Sequence, residues 1–423
     1  MPHRLRPARI EDVIDGSKLR SQLSAAALDH LGDEAGARKA ALRLLHGALF
    51  RGRMIAKERF ESGENGHQTA RLLSAVMDEV LAALFDYVTT HVIRARNPTE
   101  GERLSILAVG GYGRGELAPS SDIDLLFLRA YKQSPHAESV TEYMLYILWD
   151  MGLKVGHSSQ TIEECLKLAK EDHTIKTALL EGRRVCGDEN LATLLAQRFR
   201  TEALIGLDTA FVAAKLKERD QRHLRSGSSR YMVEPNVKEG KGGLRDLHTL
   251  FWLVRHRFGL ANPHEDPAFT VFTSEESRTC KRALEFLWTV RCHIHFLTGR
   301  GEERLSFDLQ PEIANRMGYA TRGEQAGVER FMKRYFLIAK EVGALTRTLC
   351  AKLEAADAKK APTGLARLSP AFKAKPKPLD VPGFRLDGGR LDADPLALDA
   401  DPTNLVRAFV RADRLNCDIQ PGL

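Results

Sequence analysis

The chain is 423 residues long, 43% hydrophobic and 28% charged, a balance typical of globular domains that excludes a fibrous or wholly disordered protein. Its formal charge of +7 is modest for the length, and the basic residues are dispersed among acids, without a basic stripe carrying aromatics, so no nucleic-acid partner is expected. No apolar run approaches the roughly 20 residues that span a bilayer, and the opening MPHRLRPARIEDVIDG has no apolar signal core, so the expectation is a cytoplasmic protein without a membrane partner.

The length predicts two or three domains. Residues 1–100 carry apolar positions three and four apart, as in ALRLLHGALFRGRMIAKERF and TARLLSAVMDEVLAALFDYVTTHVI, and read as a helical N-terminal region. The pattern changes at LSILAVGGYG and SDIDLLFLRA, short apolar runs that read as strands. Helix-like TEYMLYILWDMG, strand-like LKVGHSSQT and helix-like TIEECLKLAK follow, making 101–200 a mixed α/β module. Helical periodicity returns over 201–355, interrupted at EPNVKEGKGGLRDLHTL, where a glycine-rich loop opens a helix.

Residues 356–382 are rich in Pro, Lys and Ala and read as a linker. Residues 383–423 show one amphipathic helical pattern, too little to bury a core of its own, and are expected to be the cut start of a further domain. The fold class is therefore α+β and helix-rich: a small mixed β-sheet module between a helical N-terminal region and a helical C-terminal domain. Cys165, Cys186, Cys280, Cys292, Cys350 and Cys417 form no CxxC pair, so neither a disulfide framework nor a zinc cluster is expected.

The chemistry concentrates in GGYGRGELAPSSDIDLLFL. Asp122 and Asp124 flank Ile123 in a predicted strand, so both carboxylates share one face, their Cα atoms about 6.6 Å apart. Two close carboxylates repel and one would protonate unless a cation intervenes; magnesium, a hard ion shared between carboxylates and substrate phosphates, suits them. Gly110 and Gly111, directly after the first strand, let backbone approach a phosphate, and Arg114, Ser120 and Ser121 add polar contacts. A lone GxGxxG or DxD is weak, but strand, Gly-Gly turn, polar spacer and acid-apolar-acid strand in this order match one reaction geometry.

That ordered element resembles the active-site signature of the DNA polymerase β nucleotidyltransferase superfamily. More narrowly it is similar to the bacterial protein-PII uridylyltransferase family, as are EPNVKEGKGGLRDLHTLFWL, CHIHFLTGRGEERLSFDLQPEIANRMGY and ERFMKRYFLIAKEV; the resemblance runs from about Arg103 onward. It implies a Mg2+-dependent transfer of UMP from UTP to a tyrosine hydroxyl of the PII signalling protein. It also implies Asp122 and Asp124 as metal ligands, Gly110 and Gly111 shaping the phosphate turn, and Lys238, Lys241 and Arg245, in a block packed on the catalytic module, meeting the triphosphate or the acceptor.

Many superfamily members use a third carboxylate. LKVGHSSQT offers none and the third ligand is unassigned; Asp172 and Glu181 are the candidates nearby in sequence, although each reads more readily as a solvated helix residue. His293 and His295, two apart in a helix, read as packing or capping residues. The family's uridylyl-removing activity is tied to an adjacent His-Asp pair; none of the 14 histidines precedes an aspartate, so that activity is not expected here, nor is glutamine sensing. Rival readings are a glutamine synthetase adenylyltransferase using ATP and a non-catalytic nucleotide-binding module.

Overall fold

The computed structural model describes residues 9–95, 99–132, 134–204, 209–227, 229–258 and 272–359, with shorter stretches between 377 and 419. The chain divides into two units, Met1–Thr346 and Arg347–Leu423, and the helical, mixed and second helical blocks read from the sequence fall almost entirely in the first.

The first unit begins with helices α1 (Gly16–Asp29), α2 (Glu34–Glu61) and α3 (Gly66–Tyr87), each opened by a side chain that accepts a backbone hydrogen bond: Asp15, Asp33 and Asn65. On α3, Leu73, Val76, Met77, Val80, Leu81 and Leu84 recur at helical spacing and are buried, so this helix is the spine against which α2 and the sheet pack.

The sheet is built from β1 (Leu104–Ala108), β2 (Ile123–Arg129), β3 (Val155–Thr161) and β4 (Arg183–Gly187) in the order β3-β2-β1-β4. β1 runs antiparallel to both β2 and β4, while β3 returns parallel to β2 through a crossover helix. Between these strands lie a one-turn helix α4 (Gly110–Gly113), then α5 (Pro135–Asp150), α6 (Ile162–Glu171) and α7 (His173–Leu180), with α8 (Glu189–Glu202) after β4. Every residue of β1 is buried, and every residue of β2 except Asp124. β4 was not read from the sequence: RRVCG buries only Cys186 and shows no apolar alternation, being held by its pairing to β1.

Helices α9 (Thr209–Arg225), α10 (Leu244–Phe258), α11 (Ser274–Thr298), α12 (Leu309–Arg316) and α13 (Gly327–Lys359) follow. The backbone N–H of Gly66, first residue of α3, donates to Thr289 Oγ1 on α11 at 2.9 Å, so the N-terminal helices and the later helices meet around the sheet. The architecture is α+β and helix-rich with one small mixed sheet, as the sequence implied. Among the described residues no helix is long and apolar enough to cross a membrane.

The second unit holds β5 (Lys377–Pro378), β6 (Phe384–Asp387), β7 (Arg390–Ala393) and α14 (Thr403–Arg414). Phe384, Leu391, Ala393, Ala408 and Ala412 form a small core. This corrects the expectation of a lone helix without a core; strands of two to four residues are too short to show a period. Most of the predicted linker, residues 360–376, lies outside the described residues.

Candidate active site

Sheet sterics set the geometry of the aspartates. Gly156 on β3 is the register partner of Asp124, and a Cβ there would sit 2.3 Å from Asp124 Oδ1. On the other side Gly110, at φ +60°, would place a Cβ 3.2 Å from Asp124 Oδ2, a left-handed conformation that glycine adopts freely. The Asp124 carboxylate thus lies in a slot between two glycines. The Val109 N–H donates to the Asp124 carbonyl at 3.0 Å, fastening the turn to the strand.

Asp122 and Asp124 are exposed and Ile123 between them is 2% exposed, the alternation read from the sequence, although β2 begins one residue after Asp122. Burial and the neighbouring Asp122 raise the Asp124 pKa, and Lys238 opposes them.

These residues open on a cavity of about 610 Å³ that also takes in Gly111, Ser120, Ser121, Lys238 and Arg245. Lys241 is not among its lining residues. Of the acids in the wall, Glu116 and Glu181 pair with Arg114, Glu303 with Arg291, and Glu302 with Arg300. Among the described residues, Asp122 and Asp124 alone of the lining acids make no ion pair.

Arg114 differs from the expectation of a ligand contact. Its guanidinium, on a side chain 11% exposed, donates to Glu116 Oε2 at 3.0 Å and Glu181 Oε1 at 2.5 Å. His67 Nε2 lies 2.8 Å from Glu116 Oε1, and the Trp252 indole donates to Glu181. Burial pushes the Glu116 carboxyl up, but His67 and Arg114 outweigh it and hold it well below the usual carboxylate range. Arg114 is therefore a clamp joining α3, the turn, the α7–β4 junction and α10.

Glu181, expected to be solvated, is 3% exposed and lines the cavity with its charge committed to that clamp. Asp172, the other suggested third carboxylate, accepts from the Thr174 and Ile175 amides and caps α7. Among the described residues no group of three or more His, Cys, Asp or Glu stands ready to hold a metal ion.

The opposite chemistry comes from the loop before α10. Asn236 Oδ1 accepts from the amides of Lys238 at 3.0 Å and Glu239 at 2.6 Å, and Asp246 accepts from the Gly242 amide at 2.8 Å. The loop is thereby folded back to present Lys238 and Arg245. Burial, then Arg291, lowers the Lys238 pKa. Glu303, gripped by Arg291 at 2.9 and 2.5 Å, is brought to about 2 despite its burial, by His295 and Arg291.

Sequence reasoning did not find Glu116, Lys154, His248, Arg291, Arg300, Glu302 or Glu303 as wall residues. His293 packs as expected, its ring 4.5 Å from that of Phe60. His295 lines the cavity, its Nδ1 accepting from the Ser120 amide at 3.3 Å.

The chain is 63% identical over 421 residues to the bifunctional uridylyltransferase/uridylyl-removing enzyme of Phenylobacterium zucineum (strain HLK1), covering 100% of this chain and 45% of that protein. It is 61% identical over 422 residues, with the same coverage, to the protein of that name from Caulobacter vibrioides (strain NA1000 / CB15N). The chain thus spans under half the length of the curated relatives it matches. A family model described as GlnD PII-uridylyltransferase matches residues 210–350, and one described as glutamate-ammonia ligase adenylyltransferase matches residues 6–147, the latter stretch including the glycine turn and both aspartates.

Proposed function

We propose that this chain, 61–63% identical along its whole length to proteins named bifunctional uridylyltransferase/uridylyl-removing enzyme, transfers UMP from UTP to a tyrosine hydroxyl of the PII signalling protein, releasing diphosphate. The observation that carries the reading is the pair Asp122 and Asp124, exposed, without an ion-pair partner among the described residues, and opening on a cavity whose other lining acids are paired.

The donor set fits magnesium. Both groups are hard oxygen ligands, and Asp124 is raised by burial and by Asp122, a tension that a divalent cation relieves. Bound there, metal ions would supply a Lewis acid at the α-phosphate and shield charge on the departing diphosphate.

The chain's own residues do the positioning. The Gly110–Gly113 turn brings backbone against the phosphates; Lys238, Arg245 and exposed Lys154 offer cations to the triphosphate. Arg114, Glu116 and Glu181 hold the wall in shape. The acceptor phenol, with an ordinary pKa of about 10, enters beside the aspartates, where local positive charge favours its ionised form.

Incubation with PII, labelled UTP and magnesium tests this: label is expected on PII, and none after Asp122→Asn with Asp124→Asn. Transfer that survives the double substitution refutes the assignment. A second reading, transfer of AMP from ATP, draws on the adenylyltransferase match over residues 6–147; equal labelling from ATP under the same conditions would favour it.

A further inference from the structure

His248 lies on α10 in the cavity wall, 2% exposed. Neither of its ring nitrogens has a hydrogen-bond partner among the described residues. Glu116 Oε2 lies 3.6 Å from Nε2, beyond hydrogen-bond length. A buried imidazole with both nitrogens unmet is costly and rare in a folded protein. Burial first and Arg114 second depress the imidazole pKa well below its usual value, which favours the neutral ring.

A second histidine in the same wall makes the contrast. Arg291, Glu303 and His295 repeat the arrangement of Arg114, Glu116 and His248, with His295 Nε2 at 3.7 Å from Glu303 Oε1. There, however, the Ser120 amide donates to Nδ1, so the protein itself satisfies the acceptor nitrogen. At His248 the ionised Glu116 favours the tautomer with hydrogen on Nε2, which leaves Nδ1 as an acceptor.

We propose that His248 recognises the nucleoside part of the bound nucleotide, Nδ1 accepting a hydrogen bond from a neutral donor, either a ribose hydroxyl or the base N–H. This rests on nucleotide occupying the cavity as argued above. A triphosphate held by a divalent cation is essentially fully ionised at neutral pH and offers acceptors but no donor, so it does not answer Nδ1. Ribose and a pyrimidine imide both do, and a neutral acceptor set among charged groups selects for them.

The test is calorimetric titration of UTP in magnesium buffer without acceptor protein, on wild type, His248→Leu and His248→Gln, with the unliganded melting temperature of each. His248→Leu is expected to weaken UTP about tenfold while melting at or above wild type, because a buried unmet polar group has been removed. His248→Gln, whose amide oxygen can accept, should keep most of the affinity. Titration of 2′-deoxy-, 3′-deoxy- and N3-methyl-UTP locates the donor: the analogue that weakens wild type but not His248→Leu lacks it.

Unchanged UTP affinity in His248→Leu overturns the inference and leaves the uridylyl-transfer reading standing. So does a lowered melting temperature with affinity intact, the mark of a structural role beside Glu116. If His248→Leu does not fold, wild-type affinity undiminished by every one of the three analogues overturns it, and loss with one of them that His248→Gln shares supports it. Failure of wild type to bind UTP overturns both.

Discussion

Two pairs of acids line one cavity, and they are opposites. Glu116 and Glu181 are 3% exposed and grip one guanidinium, with further hydrogen bonds from His67 and Trp252. Asp122 and Asp124 are exposed and, among the described residues, have no ion-pair partner. The first pair has its electrostatics closed within the fold and serves architecture. The second keeps an unanswered negative charge at the mouth of a slot, which is what a ligand site for cations needs. Similarity of residue type thus says little about role; the state of charge pairing separates the two.

The comparison can be broken most decisively at the aspartates. Asp122→Asn with Asp124→Asn should lower nucleotidyl transfer on the order of 10³-fold or more while leaving the melting temperature unchanged or raised, since two like charges no longer repel; a diphosphate-release assay beside a thermal melt reads both. A large drop in stability would show that these residues belong with the structural pair. Arg114→Ala should do the reverse, stranding two buried carboxylates at a cost of about 3–5 kcal/mol, read by denaturant unfolding; a loss of activity without that cost would make Arg114 a ligand residue instead.

Between these extremes lies Gly156→Ala. The added Cβ, 2.3 Å from Asp124 Oδ1, must displace the carboxylate, and a shift of this kind should lower the rate about 10²-fold with a stability change of about 1 kcal/mol, seen in kcat and a melt on one preparation. The smallest effect concerns a buried group outside the cavity. Burial first, then Arg316, lowers His293 to about 4 from its ordinary 6.5. The folded state therefore prefers the neutral ring, and its stabilising contribution is complete above pH 6.5 and lost as pH falls toward 4. A decline of about 1 kcal/mol is expected by roughly pH 5.5, and unfolding curves of His293→Phe should lack it.

What the sequence disclosed follows from range. The Asp-Ile-Asp alternation and the glycines beside it are local, and the structure has them with a one-residue offset in the strand start. The long helices were legible because α3 repeats its apolar positions over many turns. By contrast β4, with two arginines and one buried cysteine, exists through its partner strand, and its own residues carry no period. Glu181 looked like a helix end, and only the arrival of Arg114 and Trp252 reveals it as buried. Arg291 and Glu303 reach the wall from α11 and the loop after it, a proximity no window of sequence contains. Lys241 shares a glycine-rich loop with Lys238, yet only the latter lines the cavity.

The clamp around Arg114 has a consequence for biogenesis. Its contacts close intervals of 49, 67 and 71 residues, from His67 to Glu116, Arg114 to Glu181, and Glu181 to Trp252. Closures of that span form slowly and late, and the last requires Trp252 to have left the ribosome. A nascent chain that has already exposed both aspartates still lacks the clamp that shapes the wall beside them, so the order of synthesis places the closing of that wall after the emergence of Trp252.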